Sequence, residues 1–363
     1  MPEHAIHRSV RPVIGITMGD PAGIGAEVLI KALADHSLRD QADFVIYGML
    51  EHIAYAADLA ELLPFWVRSP HESALETRGG VVIADFDEFS LAARPLRSPT
   101  AQGGRASMRF IEQAVSDVKS GSLDAIVTGP IHKTAWHMAG YTFAGHTELL
   151  ARCFKSRRVT MMFSGGPLRV ALASVHEALF DLRNRFTIGL VFQPIDLLHE
   201  ALRDWFGIPK PRIAVAGLNP HAGENGRFGD EETRVIQPAI DMARHANIAV
   251  SGPYPADTLF RRAAQGEFDG VVAMYHDQAL IPVKLLAFDQ AVNLTLGLPI
   301  IRTSVDHGTA YDIAGKNRAD PGSMKAAIRL AIDLVRRRKK QVVSAAQPAT
   351  PAPADSPPHP PLS

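Results

Sequence analysis

Apolar residues along the chain follow two rhythms. Short, mostly apolar runs occupy 13–17, 44–47, 81–84, 123–128, 168–175, 212–218 and 270–275. Stretches with apolar residues three and four apart occupy 108–119, 195–206, 233–246, 257–265 and 323–339, with shorter ones after residue 25 and near 134–139. The first rhythm predicts buried strands and the second amphipathic helices. Their alternation predicts an α/β architecture around a largely parallel sheet, because parallel neighbours need a crossover and helices supply it. The first strand run opens into the loop Gly19-Asp20-Pro21-Ala22-Gly23-Ile24-Gly25, and 123–128 ends at Gly129-Pro130. The last helix begins after Pro321-Gly322 and ends in the basic run from Arg336 to Lys340. Cations there suit the carboxyl end of a helix dipole, and the run is read as a solvated helix end. Residues 341–363 contain seven prolines and many alanines, a composition that predicts a disordered tail.

A length of 363 residues suits two lobes. Lys plus Arg and Asp plus Glu each number 38, so the formal charge is zero. That balance gives no electrostatic footprint for nucleic acid or for an anionic membrane. No stretch reaches the roughly 18 apolar residues of a spanning helix. Met1 to Arg11 carries Glu3, His4, His7 and Arg8 without an apolar run, unlike a secretory leader. The single cysteine, Cys153, excludes an internal disulfide framework and a cysteine-built metal site. These features together predict a cytoplasmic protein.

Three histidines share one context: His176, His221 and His276 each follow a strand run. Ligands of parallel α/β sheets bind beyond the carboxyl ends of strands, so three imidazoles delivered there could hold a divalent metal with positions open to substrate. The alternative is three unrelated strand-end histidines bonded to backbone. His146 and Thr147 sit in a polar loop before an apolar segment. There Thr147 is a candidate helix cap, and a capped helix start is also an anion site. Lys284, Asn293 and Arg302 lie among apolar neighbours, and charges so placed need partners. Neither G-x-G-x-x-G nor G-x-x-x-x-G-K-[ST] occurs, which removes the common Rossmann and P-loop signatures.

Seven segments in order carry a resemblance. They are ITMGDPAGIG (16–25), TGP (128–130), GHTE (145–148), NPHAG (219–223), YHDQ (275–278), VNLTLGLP (292–299) and RTSVDHGTA (302–310). Together they resemble the 4-hydroxythreonine-4-phosphate dehydrogenase family of vitamin B6 synthesis, over about residues 12–335. That family is similar in turn to isocitrate and isopropylmalate dehydrogenases, whose fold binds a nicotinamide dinucleotide through an H-G-[ST]-A loop. The resemblance therefore implies a two-lobed fold of that kind, with 1–135 and 300–340 as the cofactor lobe and 136–299 as the metal, substrate and dimerisation lobe. It implies NAD, with NADP as the alternative, at His307, Gly308, Thr309, Ala310 and Asp312. The Asp312 carboxylate would favour NAD by bonding a ribose 2′-hydroxyl, whereas Lys316 and Arg318 would suit a 2′-phosphate.

His176, His221 and His276 match the family's metal ligands, in a site shared across a homodimer interface. Imidazoles suit zinc, cobalt or nickel, and the family adds magnesium or manganese. His146, Thr147, Lys284, Asn293 and Arg302 match its substrate positions, with Lys284 as the candidate proton-transfer group. The implied partner is a small phosphorylated hydroxy acid. The implied reaction is oxidation of the 3-hydroxyl of 4-phosphooxy-L-threonine, then decarboxylation to 3-amino-2-oxopropyl phosphate. Ala26 stands where the family usually has proline, and 176–194 differ from its usual run. Residues 281–288 look closer to the branch acting on 4-phospho-D-threonate and 4-phospho-D-erythronate. A dihydrodiol dehydrogenase of aromatic-acid breakdown is a further relative, whose unphosphorylated substrate would have less use for Asn293 and Arg302. A sugar-phosphate-binding protein without activity is the alternative outside enzymes, and retention of the three histidines with Lys284 speaks against it.

Overall fold

The computed structural model describes residues 11–77, 79–89 and 91–346. The strands are β1 (Val13–Thr17), β2 (Asp43–Gly48), β3 (Val67–Pro70), β4 (Val81–Asp85), β5 (Ala125–Thr128), β6 (Thr160–Gly165), β7 (Leu168–Leu172), β8 (Ile213–Ala216), β9 (Val250–Tyr254), β10 (Gly270–Ala273), β11 (Val292–Leu296) and β12 (Ile301–Ser304). They form one sheet in the order β3-β4-β2-β1-β5-β12-β11-β6-β7-β10-β8-β9.

The architecture is α/β, but the sheet is not largely parallel throughout. One block, β3 to β12 in that order, is parallel. The other, β7-β10-β8-β9, is also parallel. Between them β11 runs antiparallel to both β12 and β6, and β6 is antiparallel to β7. The two blocks therefore run in opposite directions, and the sheet changes sense at β11 and β6. Helices cover both faces of the second block. Val170, Leu172, Ala214 and Val271 pack with Leu259 and Val283 on one side, while Ala171, Val215 and Val272 join the large core containing Ile195 and Ile240 on the other. Burial on both faces explains why these strands read as unbroken apolar runs.

Five strands have no counterpart among the sequence runs: β3, β6, β9, β11 and β12. Pro253 lies in edge strand β9, where a missing N–H is tolerated. β3 is the opposite edge. The central strands β11 and β12 carry Asn293, Thr295, Arg302 and Ser304, which break the apolar pattern.

The last helix runs Gly322–Ala346, past the expected end near Lys339. Its basic run is partly docked: Arg338 and Lys340 are exposed, as expected of a solvated end, while Arg336, Arg337 and Lys339 are tied down. Arg336 donates to the Gln41 side chain and carbonyl (2.8 and 2.9 Å), Arg337 to the Phe206 carbonyl (2.8 Å), and Lys339 pairs with Asp124 at 2.7 Å. Gln341 also bonds the Arg203 carbonyl, so the expected tail begins later than residue 341; residues 347–363 lie outside the described residues. No helix among the described residues is long and apolar enough to cross a membrane.

Candidate active site

Polar side chains gather on one face of the sheet where it reverses. Cα partners point to the same face, so the pairs Ser304–Thr128, Asn293–Ser304 and Thr295–Met161 align across four neighbouring strands. Arg302, two residues before Ser304, shares this face. The resulting pocket is closed by the segment from Pro130 to Lys133, the start of helix His146–Phe154, His176 and His307.

Arg302 is 2% exposed and, among the described residues, bonded only to hydroxyls. Nε and Nη2 donate to Thr128 Oγ1 (3.2 and 2.6 Å), and Nη1 donates to Thr295 Oγ1 (3.0 Å). Among the described residues no carboxylate forms an ion pair with it. Burial pushes its pKa down to about 9, with Glu148 acting weakly in the other direction. A buried cation without a counterion costs several kcal/mol, so the pocket is electrostatically incomplete without an anion.

Four further polar atoms are enclosed without a partner: His146 Nε2, Thr147 Oγ1, Asn293 Oδ1 and His307 Nε2. All four residues line the pocket. Buried polar atoms are almost always bonded, so their convergence marks a polar ligand's place. Thr147 is not the helix cap. Gly145 holds that position, and Thr147 lies in the first turn with its hydroxyl turned inward. The His146 ring stands edge-on to Trp136 at 5.6 Å, and Trp136 Nε1 is fixed by Ser107 (3.0 Å). Burial, then the Arg302 charge, holds the His146 pKa well below the usual imidazole range. His146 is therefore neutral and can accept or donate one hydrogen bond.

His176, His276 and His221 follow β7, β10 and β8, three adjacent parallel strands. The His176 and His276 rings are 6.1 Å apart. Burial lowers the His176 pKa, and Lys133 and His276 add to this. His221 is apart from this pair, exposed and next to Glu224 (3.3 Å), and no metal-sized cluster of three such ligands forms among the described residues. Two close imidazoles, with a third on the next strand, fit a divalent ion in donor chemistry.

Lys284 is not in the pocket lining. From helix His276–Ala287 it reaches Asp306 Oδ2 at 2.9 Å. Its apolar neighbours do not enclose it: Ile281 and Leu285 are 65% and 82% exposed. The loop after β12 begins at the pocket with His307 and continues against the glycine-rich loop. Ile24 N donates to the Thr309 carbonyl (3.0 Å), and a Cβ on Gly23 would lie 2.8 Å from that oxygen, which demands glycine there. Tyr311 donates to the buried Asp20 (2.8 Å), whose pKa burial raises. Asp312, Lys316 and Arg318 are exposed at the far side of this loop. The candidate set omitted Thr128, Thr295, Lys133 and Ser304. Thr128 was visible as the first residue of the TGP motif.

Residues 40–331 match the pyridoxal phosphate biosynthetic protein PdxA family. The 4-hydroxythreonine-4-phosphate dehydrogenase of Desulfosudis oleivorans is 47% identical over 324 residues, covering 89% of this chain and 96% of the relative. The D-threonate 4-phosphate dehydrogenase of Cupriavidus necator is 44% identical, covering 90% and 98%. A crystal structure of a 4-hydroxythreonine-4-phosphate dehydrogenase from Burkholderia phymatum superposes with a TM-score of 0.78 at 43% identity, covering 89% and 98%. The chain belongs to the PdxA family of dehydrogenases.

Proposed function

We propose that the chain oxidises the 3-hydroxyl of 4-phosphooxy-L-threonine with NAD and a divalent metal, and that the product loses CO2 to give 3-amino-2-oxopropyl phosphate. The observation that carries this reading is Arg302, a buried guanidinium bonded only to hydroxyls. An anionic phosphate or carboxylate is the complement it lacks. Thr147 Oγ1 and His146 Nε2 can donate uncharged bonds to that anion, while Asn293 Oδ1 can accept from a hydroxyl or amine of the substrate. His307 lines the same pocket and starts the loop proposed to hold the dinucleotide, which supports a reading with hydride acceptor and donor side by side. A metal on the three histidines would supply Lewis acidity at the substrate's hydroxyl and carbonyl oxygens. His176 and His276 would hold it, with neutral imidazoles that leave its charge available. Lys284, beside Asp306, is the proposed proton carrier.

A homodimer completes the proposal. Large apolar side chains are exposed beside each histidine: Leu179 and Phe180 after His176, Phe228 after His221, and Ile281, Leu285, Leu286 and Phe288 after His276. Exposed apolar surface of this kind marks an interface, and a second copy is its proposed cover. The test is a panel of phosphorylated four-carbon hydroxy acids followed by NADH absorbance. Turnover of 4-phosphooxy-L-threonine above all others is expected. Exclusive turnover of 4-phospho-D-threonate would establish instead the second reading, which the relative from Cupriavidus necator supports. An inert panel would overturn both.

A further inference from the structure

The loop that carries His221 has an unusual backbone. Six consecutive residues, His221 to Gly226, have φ of 52, 51, 79, 42, 56 and 88°. Four of them are not glycine, so this left-handed turn is strained and persists only if its surroundings hold it. The holding group is Glu232, a carboxylate 5% exposed at the start of a π-helical turn, Glu232–Ile236. Glu232 Oε1 accepts from the backbone N–H groups of Leu218 and Asn219 at 2.8 and 2.7 Å. Glu232 Oε2 accepts from the Asn219 side-chain amide at 2.9 Å. The turn also closes tightly over this carboxylate, since a Cβ on Gly223 would lie 2.7 Å from Oε2. No basic side chain forms an ion pair with Glu232 among the described residues. Its charge is spent on three N–H donors at the root of the His221 loop.

The same strand end is tied to the neighbouring histidine. Gln278, two residues after His276, donates to the Gly217 carbonyl (2.7 Å) and accepts from Met274 N (2.7 Å). Ser174, two residues before His176, donates to the Met274 carbonyl (2.8 Å). The three histidine loops thus share one bonded base, and Glu232 is its anchor on the His221 side.

We propose that Glu232 is a positioning residue for the metal site: it fixes the left-handed turn so that His221 is presented as a ligand. This rests on the reading that the three histidines bind a divalent ion. Positioning groups of this kind typically change metal affinity by about ten- to a hundredfold. The test titrates the metal-free full-length protein with zinc by calorimetry and with cobalt by its visible spectrum, alongside the melting temperature of the metal-free protein. Glu232→Gln keeps an oxygen for the two backbone donors and should bind zinc within about threefold of wild type. Glu232→Ala should weaken binding about ten- to a hundredfold and alter the cobalt spectrum. Glu232→Asp keeps the charge but falls short of the three donors. It should weaken binding about fivefold or more, and it decides the matter if the alanine variant does not fold. A purely structural role would lower the melting temperature and leave zinc affinity and the cobalt spectrum unchanged in Glu232→Asp, which would overturn the proposal. His221→Ala separates the two levels. A wild type that binds no more tightly than His221→Ala removes the metal reading itself, whereas a wild type that binds while all Glu232 variants match it removes only the role of Glu232.

Discussion

Arg302→Met removes a charge and keeps much of the side chain's length. The guanidinium is held down near 9, well below its ordinary range, by burial. That shift corresponds to roughly 5 kcal/mol of unfavourable burial carried by the folded protein. Methionine removes this cost but leaves the Thr128 and Thr295 hydroxyls short of a donor, a loss of about 1 kcal/mol each. The ligand-free variant should therefore be about 2–3 kcal/mol more stable than wild type, read as a rise of several degrees in melting temperature. Function should move the other way. A lost charge-assisted contact to an anion is worth about 1.5–3 kcal/mol, or roughly ten- to more than a hundredfold in binding. On the proposed reading the anchor holds the substrate's anionic end, away from the reacting hydroxyl, and binds ground and transition states alike, so KM should rise and kcat change little. Steady-state kinetics on 4-phosphooxy-L-threonine and a thermal melt of the same preparation measure both arms. A variant with lower stability and an unchanged KM would refute the idea that Arg302 is an uncompensated cation awaiting an anion.

Lys284→Ala should lower kcat by about a hundredfold or more while KM moves little, as expected of a proton-transfer group. Asp306→Asn, which removes its ion-pair partner, should give a smaller loss of kcat, and unchanged kcat in Lys284→Ala would remove the assignment. Asp312→Ala should narrow a preference for NAD over NADP, measured as the ratio of kcat/KM values; a wild type that prefers NADP would contradict the role given to Asp312. Burial lowers the pKa of His52 from 6.5 to about 4, so below pH 6.5 the unfolded chain binds a proton that the folded one refuses. Stability must fall on acidification through that window, by up to roughly 3 kcal/mol from this residue, and His52→Leu should flatten the slope of unfolding free energy against pH between 6.5 and 4.

What the sequence made legible follows from burial. Strands β1, β2, β4, β5, β7, β8 and β10 are enclosed and appear as apolar runs with few interruptions. The central strands β11 and β12 were hidden because they do two jobs. Asn293, Thr295, Arg302 and Ser304 alternate with buried Leu294, Leu296, Ile301 and Thr303, so one face supports the core while the other lines the pocket. Periodicity cannot separate such a strand from a polar loop, and the reversal of sheet direction at β11 was lost with them. The site residues were found by motif, yet their relations were not. That Arg302 rests on Thr128 and Thr295 joins residues 174 and 7 positions apart, which only the register of β5, β12 and β11 brings together.

Lys284 shows the limit most clearly. Its apolar neighbours in sequence suggested an enclosed charge, but on a helix consecutive residues point in different directions, and Ile281, Leu285 and Leu286 face outward. Lys284 itself turns to Asp306, one residue before His307 and two after Ser304. Asp306 N is in turn held by Ser323 Oγ (3.1 Å) at the start of the last helix. The ion pair thus ties the helix that begins with His276 to the junction between strand β12, which carries Arg302, and the proposed cofactor loop. A group that carries a proton during oxidation must meet substrate, cofactor and metal ligands at once. The Lys284–Asp306 pair lies where the elements proposed to bear all three come together, although Lys284 stands outside the pocket lining in the single chain. The outward apolar face of the same helix is where a second copy would pack. Assembly would thereby change the surroundings of Lys284 more than those of Arg302, which is already enclosed. Dilution below the proposed dimer's dissociation constant should therefore abolish turnover through kcat before it disturbs the anion site. Inorganic phosphate should still raise the melting temperature of the monomer, and loss of that protection on dilution would place the anion site, too, at the interface.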